Sequence, residues 1–267
     1  MKMMACLDLC LERLMTFSRY EPNRLQINAK RYYVSEDLPN IPAGIVLPSV
    51  TTVASATAPV GKIMALINWR KKVGDAEANR RTRNAVERGN WLHGVLEDQF
   101  NGEDIETHFD QAPHFVPYYA SISSFLERVD EPQLVESAIA WYDAEKQVGY
   151  AGTFDMLAKM KDGEYALLDW KTSYKAKKDQ HLCDYRMQLG AYSQALEQMY
   201  DIEINQAHCA IAIYDPDTGE GEEAQIVSLD GNDLISQAGI MVQKTEQFFA
   251  EHYPGGVPFT IAMDRGG

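Results

Sequence analysis

Cysteine is scarce in this chain of 267 residues: Cys6, Cys10, Cys183 and Cys209 are scattered, with no second pair at metal-ligand spacing behind Cys6 and Cys10. That argues against a zinc or iron–sulfur centre and for four reduced thiols in a cytoplasmic protein. Long apolar runs are missing as well; none approaches the roughly 20 residues that a membrane helix needs. Met1 to Met15 is partly apolar, but Asp8, Glu12 and Arg13 interrupt it. It makes a poor signal peptide, and residues 3–15 read better as a short amphipathic helix. There is no glycine-rich phosphate loop of the helicase type. Positive charge is also in short supply, 25 Lys and Arg against 39 Asp and Glu, for a net charge of −14.

The deficit of bases speaks against nucleic acid until its distribution is considered. Residues 61–93 hold Lys62, Arg70, Lys71, Lys72, Arg80, Arg81, Arg83 and Arg88 against Asp75, Glu77 and Glu87. From residue 197 onward the only bases are Lys244 and Arg265. A local basic face can bind phosphate while the whole chain stays acidic, with weak and strongly salt-dependent affinity. Taken alone, the same run also suits a solvated helix face.

What the chain does contain is a hairpin with chemistry on it. Residues 150–173 alternate as two strands around Asp162-Gly163, a turn signal. A three-residue loop, Lys161 to Gly163, pairs Met160 with Glu164 and sets Asp155 opposite Asp169. Facing Cβ atoms lie about 5 Å apart, so two carboxylates there repel unless a cation or proton intervenes. Lys171, two residues beyond Asp169, points the same way. A divalent metal would resolve the repulsion; a solvated strand face would carry similar residues.

Other groups can join the hairpin. His93 and Glu97 are four apart on a predicted helix whose apolar stripe is Leu92, Leu96 and Phe100. They read either as a surface pair or as a metal ligand with a carboxylate orienting its ring. Gln188 and Tyr192 are likewise four apart, on a helix predicted over 179–200, and Glu136 lies on a strand predicted over 133–145. Further helices are predicted at about 61–72, from 77 or 82 to 100, at 115–129 and at 230–252. Strands are predicted at 31–35, 204–214 and 224–229, with a proline-rich loop from Leu38 to Pro48. Helices first, then three strands, a helix, two strands and a helix imply a mixed sheet flanked by helices.

Four motifs occur in order: Arg88-Gly89 with His93, Gly152-Thr153-Phe154-Asp155, Asp169-Trp170-Lys171-Thr172-Ser173, and Gln188 with Tyr192. Together they resemble the PD-(D/E)XK nuclease superfamily and its RecB-like branch. With Leu47-Pro48-Ser49-Val50-Thr51-Thr52, the likeness extends to the mitochondrial genome maintenance exonuclease group and its phage relatives. It covers roughly Leu47 to Leu196. It implies an α/β, restriction-endonuclease-like fold whose mixed sheet is flanked by helices, with an α-helical N-terminal portion forming one side of the cleft. Residues 1–48 would be an extension with a short strand and 49–267 a single nuclease domain, helical to about 130 and α/β from about 131.

The resemblance implies that His93, Asp155, Asp169 and the Trp170 backbone carbonyl bind Mg²⁺ or Mn²⁺. Lys171 would position or deprotonate the attacking water, with Glu97 and Glu136 supporting the ligands. Thr172, Ser173, Ser49 and Thr51 would bond neighbouring phosphates, Gln188 and Tyr192 would bind the strand, and Arg88 would guide it. The implied activity is a DNA exonuclease preferring single-stranded ends, in replication, recombination or repair, phage-encoded in one reading and so acting in the host cytoplasm. A recombination or replication protein would be its partner, and no membrane is involved. A structure-selective endonuclease, a non-catalytic nucleic-acid-binding protein and a metal-binding scaffold are the alternatives. Some RecB-like nucleases hold an iron–sulfur cluster with three cysteines after the nuclease core; here Cys209 alone follows the Gln188–Tyr192 helix, so no such cluster is expected.

Overall fold

The computed structural model describes residues 17–254. Cys6, Cys10 and the helix expected over 3–15 lie outside them. The chain opens with β1 (Arg24–Ile27), β2 (Lys30–Val34) and β3 (Val46–Pro48), which pair in that order as an antiparallel sheet. Helices α1 (Val50–Ala56), α2 (Val60–Val73), α3 (Asp75–Phe100), α4 (Glu106–Gln111) and α5 (Val116–Leu126) follow. Then come β4 (Val129–Asp143), β5 (Val148–Met160), β6 (Tyr165–Ser173), α6 (Cys183–Tyr200), β7 (Gln206–Asp215), β8 (Glu220–Asp230) and α7 (Gly231–His252).

Strands β4 to β8 form a second sheet in sequence order. Only β6 and β7 run parallel, and α6 supplies the crossover such a pair requires. This is the expected mixed sheet between helices. One face carries Leu157, Leu167, Cys209 and Ile211 under α6 and α7; the same core takes in Tyr32, Tyr33, Val46 and Leu47 from the small sheet. The other face carries Met156, Ala158, Leu168, Trp170 and Ala210 against Leu92 and Leu96 of α3 and Ile122 and Phe125 of α5.

Helix α7 illustrates how pattern becomes packing. Leu234, Ala238, Met241, Thr245, Phe248 and Phe249 recur at helical spacing and are buried. The Asp230 carboxylate caps its first turn by accepting from Asp233 N at 2.9 Å. It approaches α6 so closely that a Cβ on Gly190 would lie 2.6 Å from Ala238 N, which only glycine permits. Helix α2 is the opposite case. None of its residues is buried, and Val60, Ile63, Met64, Leu66 and Ile67 are exposed. It stands away from the sheet as the outer limb of a helical hairpin with α3, turned at Gly74, whose φ of +86° suits glycine. Among the described residues no single helix is long and apolar enough to cross a membrane.

Beyond β1 and α4, which the sequence did not signal, several elements differ from expectation. Val46–Pro48 lies in the stretch that prolines marked as loop, yet it pairs with β2, where proline is tolerated as a last edge residue. The helix expected from 179 begins at Cys183, after a short 3₁₀ turn at Asp179–His181. Strand β4 starts at Val129, earlier than expected, because register shifts after Val129 and Pro132 let it continue through a proline.

Candidate active site

The β5–β6 hairpin has the register its turn predicts. Met160 N donates to Glu164 O at 2.9 Å, and Lys159↔Tyr165 through Met156↔Leu168 pair in sequence. One step further Asp155 meets Asp169, and there the ladder stops. The Trp170 amide donates to Asp155 Oδ2 at 2.6 Å, a side chain taking the place of a main-chain partner. On the other side, Val135↔Met156 and Ser137↔Phe154 bracket Glu136 against Asp155. Glu136, Asp155 and Asp169 thus form one row across three strands. Glu136 has a φ of +48°, unusual for a strand residue and of the kind found at functional sites.

Helix α3 lowers His93 onto this row, held by the buried Leu92, Val95 and Leu96 beside it. His93 Nδ1 lies 3.2 Å from Glu136 Oε1 and 3.4 Å from Asp155 Oδ1. Its Nε2 lies 3.0 Å from the Trp170 carbonyl oxygen. Asp169 is 1% exposed. Its Oδ2 is ion-paired with Lys171 Nζ and accepts from the Cys209 thiol at 3.5 Å, while its Oδ1 is buried with no partner among the described residues. Lys171 Nζ also donates to Trp170 O at 3.2 Å.

The electrostatics follow from burial and crowding. Burial, with Asp169 adding to it and His93 opposing, pushes the Asp155 carboxyl up to about 7. Burial disfavours a charged His93, but the Asp155 charge and the Glu136 hydrogen bond outweigh it and raise the imidazole to about 9. Lys171 likewise is held above its ordinary value, against burial, by Asp169 and Asp155. With both ring nitrogens facing oxygen acceptors, His93 serves as the cation that the carboxylates require. A divalent metal fits the same place: His93, Glu136 and Asp155 offer ligand atoms within 4.8 Å of one another. The orphaned Oδ1 of Asp169 adds a hard oxygen suited to Mg²⁺ or Mn²⁺.

The remaining sequence candidates fall into place around this centre. Glu136, not Glu97, holds the His93 ring; Glu97 lies one turn along α3 and accepts from Arg19 at 3.4 Å. Gln188 Nε2 donates to Tyr192 OH at 3.2 Å, and the Tyr192 ring lies against Gly152. Arg88 is 8% exposed, donates through Nε to Thr172 Oγ1 at 3.0 Å and stacks on Tyr174 at 4.2 Å. Ser173 Oγ donates to Lys175 O at 2.7 Å. Ser49 is buried as the cap of α1, accepting from Thr52 N at 2.9 Å, and its hydroxyl also contacts that of the exposed Thr51 at 3.0 Å. Cys209, Lys177 and Tyr185 carried no signal in the sequence. Cys209 meets Asp169 through the parallel β6–β7 register, which a crossover connection leaves undetermined by local pattern.

A fold of this kind, with an acid row, an imidazole and a lysine where two strands splay, has the groups that a metal-dependent phosphodiester hydrolase requires. The family comparison agrees: the model of the PD-(D/E)XK nuclease superfamily matches residues 68–255, and the chain belongs to that superfamily. Its substrate is therefore nucleic acid. Among solved structures a chain described as "Crystal structure of SSO0001" is similar at 15% identity and a TM-score of 0.27, over 57% of this chain and 72% of that one. No curated protein matches.

Proposed function

We propose that the protein is an exodeoxyribonuclease of the RecB-like branch that uses Mg²⁺ or Mn²⁺ and prefers single-stranded ends, in replication, recombination or repair. The observation that carries the nuclease chemistry is the row of Glu136 with the buried Asp155 and Asp169, Asp169 Oδ1 lying unpaired beside Lys171. The exonuclease reading is supported by the α2–α3 hairpin: α3 carries His93 while α2 is ion-paired to α6 through Lys62 and Asp184, and a limb so placed would restrict entry to a free end.

His93, Asp155, Asp169 and the Trp170 carbonyl would hold the metal, with Glu136 joining from β4. Bound there, a divalent ion lowers the pKa of a water and polarises the scissile phosphate. Lys171 keeps its proton against Asp169, so it serves as a hydrogen-bond donor and cation towards the attacked phosphate rather than as a base. Asp155 fixes the Trp170 backbone and with it the direction of the carbonyl. Tyr192 and Gln188 border the centre from α6, where they would contact the strand's backbone.

The test is a cleavage time course on end-labelled linear single-stranded DNA with Mg²⁺, Mn²⁺ or EDTA, beside linear duplex, circular single strands and RNA. Metal-dependent loss of the linear strand with the circle spared supports the proposal, and the label reads the polarity. Cutting of the circle indicates an endonuclease. No cleavage of any substrate removes the enzymatic reading.

A further inference from the structure

Beside Lys171 lie two further cations that no acid among the described residues neutralises. Of the three lysines after β6, Lys175 and Lys178 are exposed, whereas Lys177 is half-buried. Its backbone is clamped from both sides by one side chain of β8: Lys177 N donates to Gln225 Oε1 at 2.7 Å, and Gln225 Nε2 donates to Lys177 O at 2.9 Å. The Lys177 ammonium lies 5.9 Å from the Tyr185 ring, whose other neighbour is Lys171 Nζ at 6.0 Å. Arg88 completes the group, its guanidinium fixed by Thr172 and by the face of Tyr174.

Among the described residues neither Arg88 nor Lys177 forms an ion pair with a carboxylate. Burial, and after it the charge of Arg88, lowers the Lys177 ammonium below its ordinary range. Arg88, fixed at Thr172 and Tyr174, and Lys177, beside Tyr185, flank the start of the β6–α6 loop with no carboxylate among the described residues paired to either, which leaves a place for an anion. The clamp fixes the Lys177 backbone in place. The aromatic ring shared with Lys171 puts that anion's place next to the reacting centre.

We propose that Arg88 and Lys177, flanked by Tyr174 and Tyr185, seat a phosphate group of the nucleic-acid strand adjacent to the one that is cleaved. The proposal rests on the nuclease reading and makes Lys177 a positioning residue. The phosphate is either an internal diester or the strand's terminal monoester; both present the oxygens that a guanidinium and an ammonium recognise.

The experiment measures binding of a fluorescent single-stranded oligonucleotide to the full chain in EDTA over a salt series, with a 5′-phosphate or a 5′-hydroxyl. Lys177→Met is compared with Lys177→Arg and with Lys178→Met as the exposed control. The expected result is about tenfold weaker binding for Lys177→Met and a salt dependence shallower by about 0.7 in log–log slope. Its Tm should be unchanged or higher, and Lys177→Arg should restore most of the affinity. A loss on both oligonucleotides assigns an internal diester; a loss confined to the phosphorylated one assigns the terminal group. An unchanged slope, an effect equal to that of Lys178→Met, or a Lys177→Arg as weak as Lys177→Met overturns the seat. Wild-type cleavage, scored separately with metal, tests the nuclease reading, so either idea can fail alone.

Discussion

Gly152→Ala should damage the protein through a single side chain, Tyr192. A Cβ built on Gly152 would lie 2.6 Å from Tyr192 Cε1, 2.8 Å from its hydroxyl and 3.0 Å from Cζ. Real carbon contacts do not come so close, so either the ring or the strand has to move. The ring has little freedom: Tyr192 is 4% exposed, and Gln188 donates to its hydroxyl at 3.2 Å. Overpacking of a filled core costs about 1–3 kcal/mol. The ring edge is the nearest obstacle, which puts the expectation at about 2 kcal/mol, or about 4–8 °C in Tm for a chain of this size. Urea unfolding of Gly152→Ala, Tyr192→Leu and the double variant would measure it. If the clash is the cause, the Gly152→Ala change costs little once the tyrosine is replaced, and the coupling energy is about 2 kcal/mol. A full penalty persisting in the Tyr192→Leu background would refute the reasoning and place the strain in the β4–β5 backbone. Gly152→Ala should also raise KM, since Tyr192 and Gln188 move together.

Three other outcomes are expected. Lys171→Met should lower kcat by about 100- to 1000-fold, the usual loss when one donor to a developing charge is removed, with oligonucleotide binding in EDTA far less affected; a cleavage assay beside a binding assay checks both. Asp155→Asn should become relatively more stable as pH rises. The folded carboxyl titrates near 7 against an ordinary 3.8, so its burial penalty is absent near pH 4, grows through the interval and is complete above about 7. Equal differences in urea midpoint at pH 4.5 and 8 in EDTA would contradict this. Mg²⁺ or Mn²⁺ at about 100 times its Kd should stabilise the wild type by about 2.7 kcal/mol, and thermal unfolding of Asp155→Asn and Asp169→Asn should show that gain lost or much reduced.

Much of the β5–β6 hairpin was legible in the chain itself. Asp162-Gly163 sets the turn, the period of two sets the faces, and together they place Asp155 against Asp169 because hairpin register is a local property. The amphipathic pattern of α7 and the splitting of strands around α6 were readable for the same reason, as each depends on neighbours a few residues away. The strand at Val46–Pro48 was not, since its pairing with β2 comes from across a loop that its own prolines obscure. The partner of His93 was readable only as one of two candidates, Glu97 and Glu136. Helical spacing offered Glu97, but the ring faces the sheet, where β4 supplies Glu136 from 43 residues away. Parallel pairing brings the Cys209 thiol to Asp169, and the fold of the β6–α6 loop sets Lys177 beside Tyr185. Local sequence thus determined which carboxylates face each other. Only tertiary packing decided which imidazole, thiol and cations meet them, because those contacts join elements whose relative placement no local periodicity encodes.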